Sequence, residues 1–398
     1  MSEQATQSAT AQAHGMDGSL VHADWPPLTL PELRALFAEF PALGEPAYIL
    51  SVSPRPFSSA GVIATRSSRV FVKRHHRAVR DREGLLEEHR FLAHLLTHGA
   101  CVPRVLASES GETAIEIGEW TYEIHEPPAG IDLYEEAISW TPFRTVGHAC
   151  SAGQALARLH IASSGFDAPQ RQMRQLVASF TIFAAQDPAA EMRRYLAARS
   201  SLASHKTAQA CADEALELLA PFHAELAPLL SKLPALWTHN DLHGSNLFWT
   251  DSSRSARATA VIDFGLADRT NAVHDIAHAI ERNIVEWLAL VQDTKQPPAI
   301  HFDHLEALLD GYESVRPLSD AEASALAPMA ALCHAEFALS ESDYFLSILH
   351  SEERAPMAYD GWLVGHARWF RGAGQKLLDA IRRWADRHAR AEQEVARR

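Results

Sequence analysis

The spacing of hydrophobic residues changes along the chain from a strand period to a helix period. After a helical segment at 31–40, short runs rich in branched apolar residues follow, namely AYILSV (47–52), GVIAT (61–65) and RVFVK (69–73). Ser, Pro, Gly and Arg bound these runs, which is typical of an antiparallel meander. From about residue 80 to 98, leucines recur at helical spacing, and Gly99 supplies a stop. RVLAS, ETAIEI and WTYEIHE predict further strands.

Beyond PPAG (127–130), helical spacing dominates at 144–161, in broad segments between 171 and 230, and from 274 to the C-terminus. Only FW (248–249) and ATAVIDF (258–264) look like strands there. This order predicts an α+β fold, in which a small antiparallel sheet carrying one helix precedes a mainly helical part. We predict a disordered tail at 1–23, which is poor in aromatic and branched residues, an N-terminal lobe at 24–126 and a helical C-terminal lobe at 127–398.

Composition and charge narrow the classes of partner. The formal net charge is −14, which argues against a nucleic-acid partner because phosphate binding needs a basic face. The four cysteines lie far apart and form no CxxC pair. The N-terminus lacks the basic end and apolar run of a secretory signal, and no apolar stretch approaches the ~18 residues that cross a bilayer. We therefore expect a cytoplasmic protein without a membrane or nucleic-acid partner, of undetermined oligomeric state.

The chemistry is concentrated in THNDLHGSNLFW (238–249) and AVIDFG (260–265). Asp241 precedes Asn246 by five positions, and Asp263 ends an apolar run. Phosphoryl transfer needs a carboxylate that orients and deprotonates the attacking hydroxyl, and it needs oxygen ligands for the magnesium that bridges the ATP phosphates. An Asp and an Asn in one loop, with a second Asp after a strand, can supply these groups. The pattern therefore predicts phosphotransfer.

HNDLHGSN resembles the HxDxxxxN catalytic loop of aminoglycoside phosphotransferases, which choline, homoserine and methylthioribose kinases share. The resemblance implies a bilobal protein-kinase-like fold, ATP and Mg²⁺ as cofactors, and transfer of the γ-phosphate to a hydroxyl of a small molecule. It implies that Asp241 is the catalytic base, that Asn246 and Asp263 bind magnesium, and that His239 buttresses the loop. The common family form is HGDLHPGN, so the residues at 240 and 244–245 depart from it.

The N-terminal lobe carries the second part of the expected site. Alternate residues of a strand point to opposite faces, so Lys73 shares a face with Phe71. The resemblance implies that this lobe binds the nucleotide, that Lys73 holds the ATP phosphates and that a glutamate of the next helix fixes Lys73. The resembling family places this glutamate at the start of an ExxxxxxL segment ahead of a Gly, and because Glu88 and Leu95 match that spacing, the resemblance favours Glu88. The alternative is an exposed lysine and a solvated glutamate. The other glutamates considered are Glu83 and Glu87.

Two segments near the expected site have roles that the sequence leaves open. The loop SPRPFSSAGV between the first two strands has one glycine and no GxGxxG, which separates the chain from true protein kinases. In that loop Ser58 and Ser59 suit a phosphate-binding role and an ordinary turn equally well. Asp275 is predicted to begin a helix, and the resemblance implies that it steadies the catalytic loop.

The acceptor and two rival classes also stay open. The acidic segment HAEFALSESDYF (334–345) suits a cationic acceptor, but a solvated helix face is the favoured interpretation. The acceptor is an aminoglycoside-like compound, an amino alcohol, a sugar or a homoserine-like compound. One rival to a kinase is a nucleotide-binding pseudokinase or regulatory protein without transfer activity. The other is a zinc enzyme using histidines four positions apart, which is disfavoured because such short motifs often match by chance. These pairs are His239/His243 and His274/His278.

Overall fold

The structure is a computed structural model that describes residues 12–15, 18–172, 174–291 and 297–396, and the chain forms two compact units. The first unit combines the described chain up to Leu86 with Arg104–Pro127. The second combines Glu87–Pro103 with the chain from Pro128 onward. The units differ from the predicted lobes, 24–126 and 127–398, in assigning 87–103 to the second unit and Pro127 to the first.

The N-terminal segment of the first unit contains two paired strands. Strand β1 (Gln12–His14) pairs antiparallel with β2 (Leu20–His22), and His14 N donates to Pro54 O at 2.9 Å. The prediction of a disordered tail at 1–23 is therefore wrong for these two strands, because backbone pairing does not require a long apolar run. At 1–11 and 16–17 the same prediction lies outside the described residues.

The first unit is organised around a five-stranded antiparallel sheet with the strand order β3-β4-β5-β7-β6. Helix α1 (Leu30–Phe37) begins with a capping box between Thr29 and Glu32 and buries its apolar face in a core shared with Val70 and Val72 of the sheet. The predicted helix at 31–40 and the predicted meander are confirmed. The strands are β3 (Pro46–Val52), β4 (Ser59–Thr65), β5 (Arg69–His76), β6 (Ile115–Ile117) and β7 (Trp120–His125).

RVLAS was expected to form a strand and does not. This segment forms only an isolated bridge between Val105 and His125 of β7, with one backbone hydrogen bond on either side of it. The neighbouring Pro103 lacks a backbone donor, which limits continued pairing. Helix α2 (Arg82–Thr97) agrees with the predicted long helix, and Gly99 follows it with a φ of +80°, as a C-terminal stop requires.

The second unit is mainly helical. Its predicted helix at 144–161 is confirmed, whereas the described residues of 171–187 form no helix. No helix in the described ranges is both long and apolar enough to cross a membrane. The helices are α3 (Val146–Ser163), α4 (Pro188–Ala197), α5 (Ser200–Ser204), α6 (Lys206–Leu226), α7 (Ala272–Ile284), α8 (Leu288–Val291), α9 (Phe302–Glu313), α10 (Asp320–Leu332), α11 (Ala335–Asp343), α12 (Gly365–Arg371) and α13 (Gln375–Ala396).

Four short strands of the second unit frame the HNDLHGSN loop. They form two antiparallel pairs, one between β8 (Ala235–Thr238) and β11 (Asp268–Asn271), the other between β9 (Leu247–Trp249) and β10 (Ala258–Val261). The strands β9 and β10 were predicted. The other pair was missed, because β11 contains polar residues that carry no strand pattern.

Candidate active site

The HNDLHGSN loop runs from the end of β8 to the start of β9, and Asp263 lies two residues after β10. A backbone hydrogen bond of 2.9 Å from Ile262 N to Asn246 O ties the two segments together beside the β9–β10 pair. The fold thus brings the loop containing Asp241 and Asn246 next to the segment that carries Asp263. All three residues belong to the second unit.

The Asp241 carboxylate is 16% exposed and has polar neighbours on both oxygens. Asn246 Nδ2 donates to Asp241 O at 2.9 Å and to Oδ2 at 3.2 Å. Arg282 Nε lies 3.2 Å from Oδ1, and His243 Nε2 lies 3.7 Å from Oδ2. Burial lowers the pKa of Arg282, but its carboxylate neighbours Glu281 and Asp241 raise that pKa above its usual value overall. A permanent cation therefore lies beside Asp241.

Asp275 holds the backbone of the loop. Its oxygens accept from His239 N at 2.7 Å and from Asn240 N at 2.8 Å, and His160 Nε2 lies 3.0 Å from Oδ2. Burial alone would raise the pKa of the Asp275 carboxyl, but the hydrogen bonds and neighbouring histidines hold it below its usual value. The predicted supporting role agrees with this geometry. The predicted helix start is wrong, because Asn271 caps α7 instead.

The departures from the common family form have local causes. Asn240 has a φ of +62°, a conformation that Asn tolerates better than most residues. Its amide donates to Ala178 O at 3.1 Å and accepts from Thr238 Oγ1 at 2.9 Å, so the side chain also anchors the loop. A Cβ at Gly244 would lie 2.6 Å from Tyr134 Cδ1, which explains a glycine at that position.

His239 connects the loop to Ile262, the residue between β10 and Asp263. Its Nε2 lies 2.9 Å from Ile262 O, and its Nδ1 accepts from Asp241 N at 3.2 Å. This pattern assigns the ring proton to Nε2. Both ring nitrogens of His239 are used, which argues against a zinc site at His239/His243. In the other pair, His274 Nδ1 lies 3.2 Å from Asn240 Oδ1 and supports the loop.

Arg171, which the sequence did not reveal, joins α2 to the Asp263–Gly265 segment. Its Nη1 donates to Gly265 O and Ala267 O, both at 3.2 Å, while Nε lies 3.4 Å from Glu87 Oε2 and Nη1 lies 3.9 Å from Glu88 Oε2. Glu88 is buried, so the solvated-glutamate alternative is wrong. Asp263 has a φ of +59°, and its Oδ1 accepts from Gly265 N at 3.3 Å.

Lys73 lies on β5 in the first unit, directly opposite Glu123 of β7. The side chain is half-buried, on the face away from the core residues Val70 and Val72. Lys73 and Glu88 belong to different units, so their pairing stays a prediction. Ser59 Oγ donates to Pro26 O at 2.7 Å and lies 3.2 Å from Arg74 Nη2. The Ser59 hydroxyl thus has a structural role.

The acidic segment 334–345 is buried throughout, so its interpretation as a solvated face is wrong. Glu336 accepts from the backbone of Thr181 and Ile182, and Asp343 accepts from Gln175 at 3.0 Å. Glu341 differs from these residues, because neither carboxylate oxygen has a hydrogen-bond partner among the described residues. Burial raises the pKa of Glu341 to about 8, although Arg282 acts in the opposite direction.

Arg282 and Glu341 were missed because neither lies in a recognisable motif. The sequence could have indicated Arg282 in part. It lies two helical turns after Asp275 on α7, and therefore on nearly the same face of that helix. For Glu341, nothing in the sequence separates it from the structural carboxylates of its segment.

The sheet, the helical unit and the Asp–Asn loop together define a protein-kinase-like fold, as the sequence predicted. Two solved structures resemble it: a microcompartment-associated aminopropanol kinase (TM-score 0.53, 18% identity, 80% of this chain and 91% of that one) and an amicoumacin kinase in complex with AMP-PNP and Ca²⁺ (TM-score 0.54, 14% identity, 85% and 92%). At these identities the likeness concerns the fold.

Residues 59–318, more than half of the chain, match the model of the phosphotransferase enzyme family. The chain belongs to this family, which confirms the family resemblance predicted from the sequence. A homoserine kinase of Xanthobacter autotrophicus is 30% identical over 244 residues, which cover 60% of this chain and 63% of that protein. A homoserine kinase of Gluconacetobacter diazotrophicus is 29% identical over 254 residues, which cover 62% and 65%. The chain thus matches less than two thirds of the length of these relatives.

Proposed function

We propose that the protein transfers the γ-phosphate of ATP, with magnesium, to a hydroxyl of a small molecule. The observation that carries this proposal is that Asp241 and Asn246 lie in one loop and contact each other. Asp275 stabilises this loop by accepting hydrogen bonds from the backbone of His239 and Asn240. A pre-organised carboxylate of this kind aligns an acceptor for in-line attack. Membership of the phosphotransferase family supports the same reaction.

Asp241 is the catalytic base in this proposal. Its carboxylate accepts the proton of the acceptor hydroxyl, while Asn246 and Arg282 fix its orientation. Arg282 also places a positive charge 3.2 Å from Asp241 Oδ1, beside the carboxylate that accepts a hydrogen bond from the acceptor. The hydrogen bond from His239 Nε2 to Ile262 O keeps the loop in register with the Asp263 segment.

Asn246 and Asp263 are the proposed magnesium ligands. With the Asn246 amide nitrogen turned toward Asp241, its oxygen is the atom suited to a metal. An amide oxygen and a carboxylate fit the preference of Mg²⁺ for oxygen ligands. Bound magnesium would neutralise charge on the ATP phosphates. Lys73 is proposed to hold the phosphates in the first unit, and Glu88 to fix Lys73.

We infer that the acceptor carries an ammonium group. The buried Glu341 carboxyl has no hydrogen-bond partner among the described residues, and burial raises its pKa to about 8 because Arg282 compensates its negative charge only in part. Such a group is costly to bury unless a positive partner meets it. The match to homoserine kinases, whose substrate bears both an amine and a hydroxyl, supports an acceptor of this kind.

A phosphate-transfer assay with ATP and magnesium tests the reaction. The panel contains homoserine, aminopropanol, aminoglycosides, sugars and nucleosides. We expect an amine-bearing alcohol to be phosphorylated, and we expect Asp241→Asn to abolish transfer while retaining ATP binding. Asp213→Asn, an exposed position on α6, is the matched control and should behave as the wild type. ATP binding without transfer to any acceptor would favour the alternative of a nucleotide-binding pseudokinase, and no ATP binding would refute the proposal.

The ammonium inference has its own comparison. Glu341→Gln should raise the KM for an amine-bearing acceptor at least tenfold, with little effect on the KM for ATP. If homoserine is the acceptor, gamma-hydroxybutyrate, which lacks the amine, should be a poor substrate of the wild type. Equal rates with both compounds would contradict the ammonium inference and leave the phosphotransfer proposal intact.

A further inference from the structure

A second group of polar side chains lies next to Arg282. It consists of Glu281 on α7, His334 between α10 and α11, and His366 on α12, which are exposed by only 1%, 3% and 4%. Both oxygens of Glu281 and both ring nitrogens of each histidine lack a hydrogen-bond partner among the described residues. Buried polar atoms normally have hydrogen-bond partners. Six such atoms in one place, without a partner in the described part of the chain, indicate that the cluster binds a ligand.

The distances within this cluster identify the kind of ligand. Glu281 Oε1 lies 3.5 Å from His334 Nδ1 and 3.9 Å from His366 Nδ1. These separations are too long for good hydrogen bonds, whereas a bridging water would hold its two partners about 4.6 Å apart. Zinc bonds of about 2.0–2.1 Å in a tetrahedron place neighbouring ligand atoms about 3.3 Å apart. One potential ligand atom of each of the three side chains lies within 4.8 Å of those of the other two.

The charges around the cluster also favour a divalent cation. Glu281, Glu341 and Asp241 are three carboxylates that interact electrostatically with a single guanidinium, that of Arg282. A divalent ion beside Glu281 would add positive charge where these carboxyl groups share one guanidinium. Arg282 Nε lies 3.5 Å from Glu281 Oε2, the oxygen that does not face the histidines. The carboxylate can therefore bind a metal through Oε1 while Arg282 orients it through Oε2.

We propose that Glu281, His334 and His366 bind one divalent transition-metal ion of the zinc type. Two imidazoles and one carboxylate are a donor set that suits zinc and disfavours magnesium or calcium, which prefer oxygen alone. The site is therefore distinct from the magnesium site proposed at Asn246 and Asp263. Its ion connects α7, the link between α10 and α11, and α12, and it fixes the residue next to Arg282. Its role is to position Arg282 beside Asp241.

Metal titration of the full-length protein after chelation tests the proposal. We expect one equivalent of Zn²⁺ to bind, to raise the Tm, and to be replaceable by Co²⁺ with the visible absorption of tetrahedral cobalt. His334→Gln and His366→Gln keep a polar side chain of similar size and should each weaken binding roughly 100-fold or more, since even changes around metal ligands cost 10–100-fold. Circular dichroism of each variant establishes that it is folded.

The chain offers a matched control in a second histidine group. His301, Asp303 and His304 also lie within metal-binding distance of one another, near the surface. The double variant His301→Gln/His304→Gln should leave the single Zn²⁺ equivalent in place. The assignment would be overturned if the double variant lost Zn²⁺ binding. It would also be overturned if His334→Gln and His366→Gln both retained Zn²⁺ binding. Anomalous scattering at the zinc edge from wild-type crystals is an independent test. A peak elsewhere, or no peak, would also overturn the assignment.

Discussion

At the scale of single residues, the catalytic loop shows how one side chain can replace a glycine. The family form places Gly where this chain has Asn240, and the backbone there has a φ of +62°. Gly adopts this conformation without a steric penalty, whereas Asn accepts a small one. The hydrogen bonds of the Asn240 amide with Ala178 and Thr238 offset this steric penalty, and a glycine could not form them.

Asn240→Ala should therefore be worse than Asn240→Gly. Alanine keeps the strain of the positive φ and loses both hydrogen bonds, so we expect a loss of about 2–4 kcal/mol in the free energy of unfolding. Glycine loses the hydrogen bonds alone, for about 1–2 kcal/mol. Urea unfolding of both variants measures the difference. Equal losses would mean that the φ at this position contributes nothing.

At the scale of helices and strands, apolar periodicity located most of the elements. The meander, α2 and α3 were predicted because their patterns reflect burial on one face. Strand β11 was missed because it contains the polar residues Asp268 and Asn271, which are buried in the second unit with their side chains hydrogen-bonded. The local sequence pattern does not reveal that burial. The same holds for Glu341, whose burial in α11 depends on contacts distant in sequence. The catalytic loop, by contrast, was readable because its chemistry dictates both residue types and spacing.

Helix α7 supports the catalytic loop through Asp275, and this support should depend on pH. The pKa of Asp275 is lower in the folded protein than its ordinary value of 3.8, so the folded state binds fewer protons. The resulting stability is fully present above that value and is lost as the pH falls through the folded pKa. Asp275→Asn should cost about 2–4 kcal/mol at neutral pH, and the deficit should shrink below about pH 4.

Urea unfolding of wild type and Asp275→Asn across this pH range measures the deficit directly. Asp213→Asn, at an exposed position, should change the free energy of unfolding by less than about 0.5 kcal/mol. A deficit for Asp275→Asn that stays constant down to acidic pH would show that the ionised carboxylate does not carry the stabilisation.

Helices α3 and α9 approach each other at two glycines. A Cβ at Gly153 would lie 2.0 Å from Leu308 O, and one at Gly311 would lie 2.2 Å from Cys150 O. Helix propensity alone predicts that Gly→Ala stabilises a helix by about 1 kcal/mol. Because the helices must separate to admit the methyl group, we expect Gly153→Ala to destabilise the protein by about 3 kcal/mol. Thermal unfolding decides the sign, with Arg158→Ala on the exposed face of α3 as the control.

At the scale of the whole molecule, the residues with proposed catalytic and binding roles are distributed unequally over the two units. Asp241, Asn246, Asp263 and Glu88 belong to the second unit, and only Lys73 among the proposed site residues belongs to the first. The second unit thus contains the proposed base and magnesium ligands, together with the contacts from Asn246 and Arg282 that orient Asp241. Lys73 is the residue through which we propose that the first unit contributes to the reaction.

Lys73→Ala should separate catalysis from stability. If Lys73 holds the ATP phosphates, its loss should lower kcat/KM for ATP by about 100-fold or more, since one preorganised donor is commonly worth that much. The side chain is half-buried on the face away from the core, so the free energy of unfolding should change by less than about 1 kcal/mol. Arg69→Ala, exposed at the start of the same strand, should change neither quantity. A normal kcat/KM in the Lys73→Ala variant would remove the first unit from the proposed phosphate site, whereas a large loss of stability would assign Lys73 a structural role in β5.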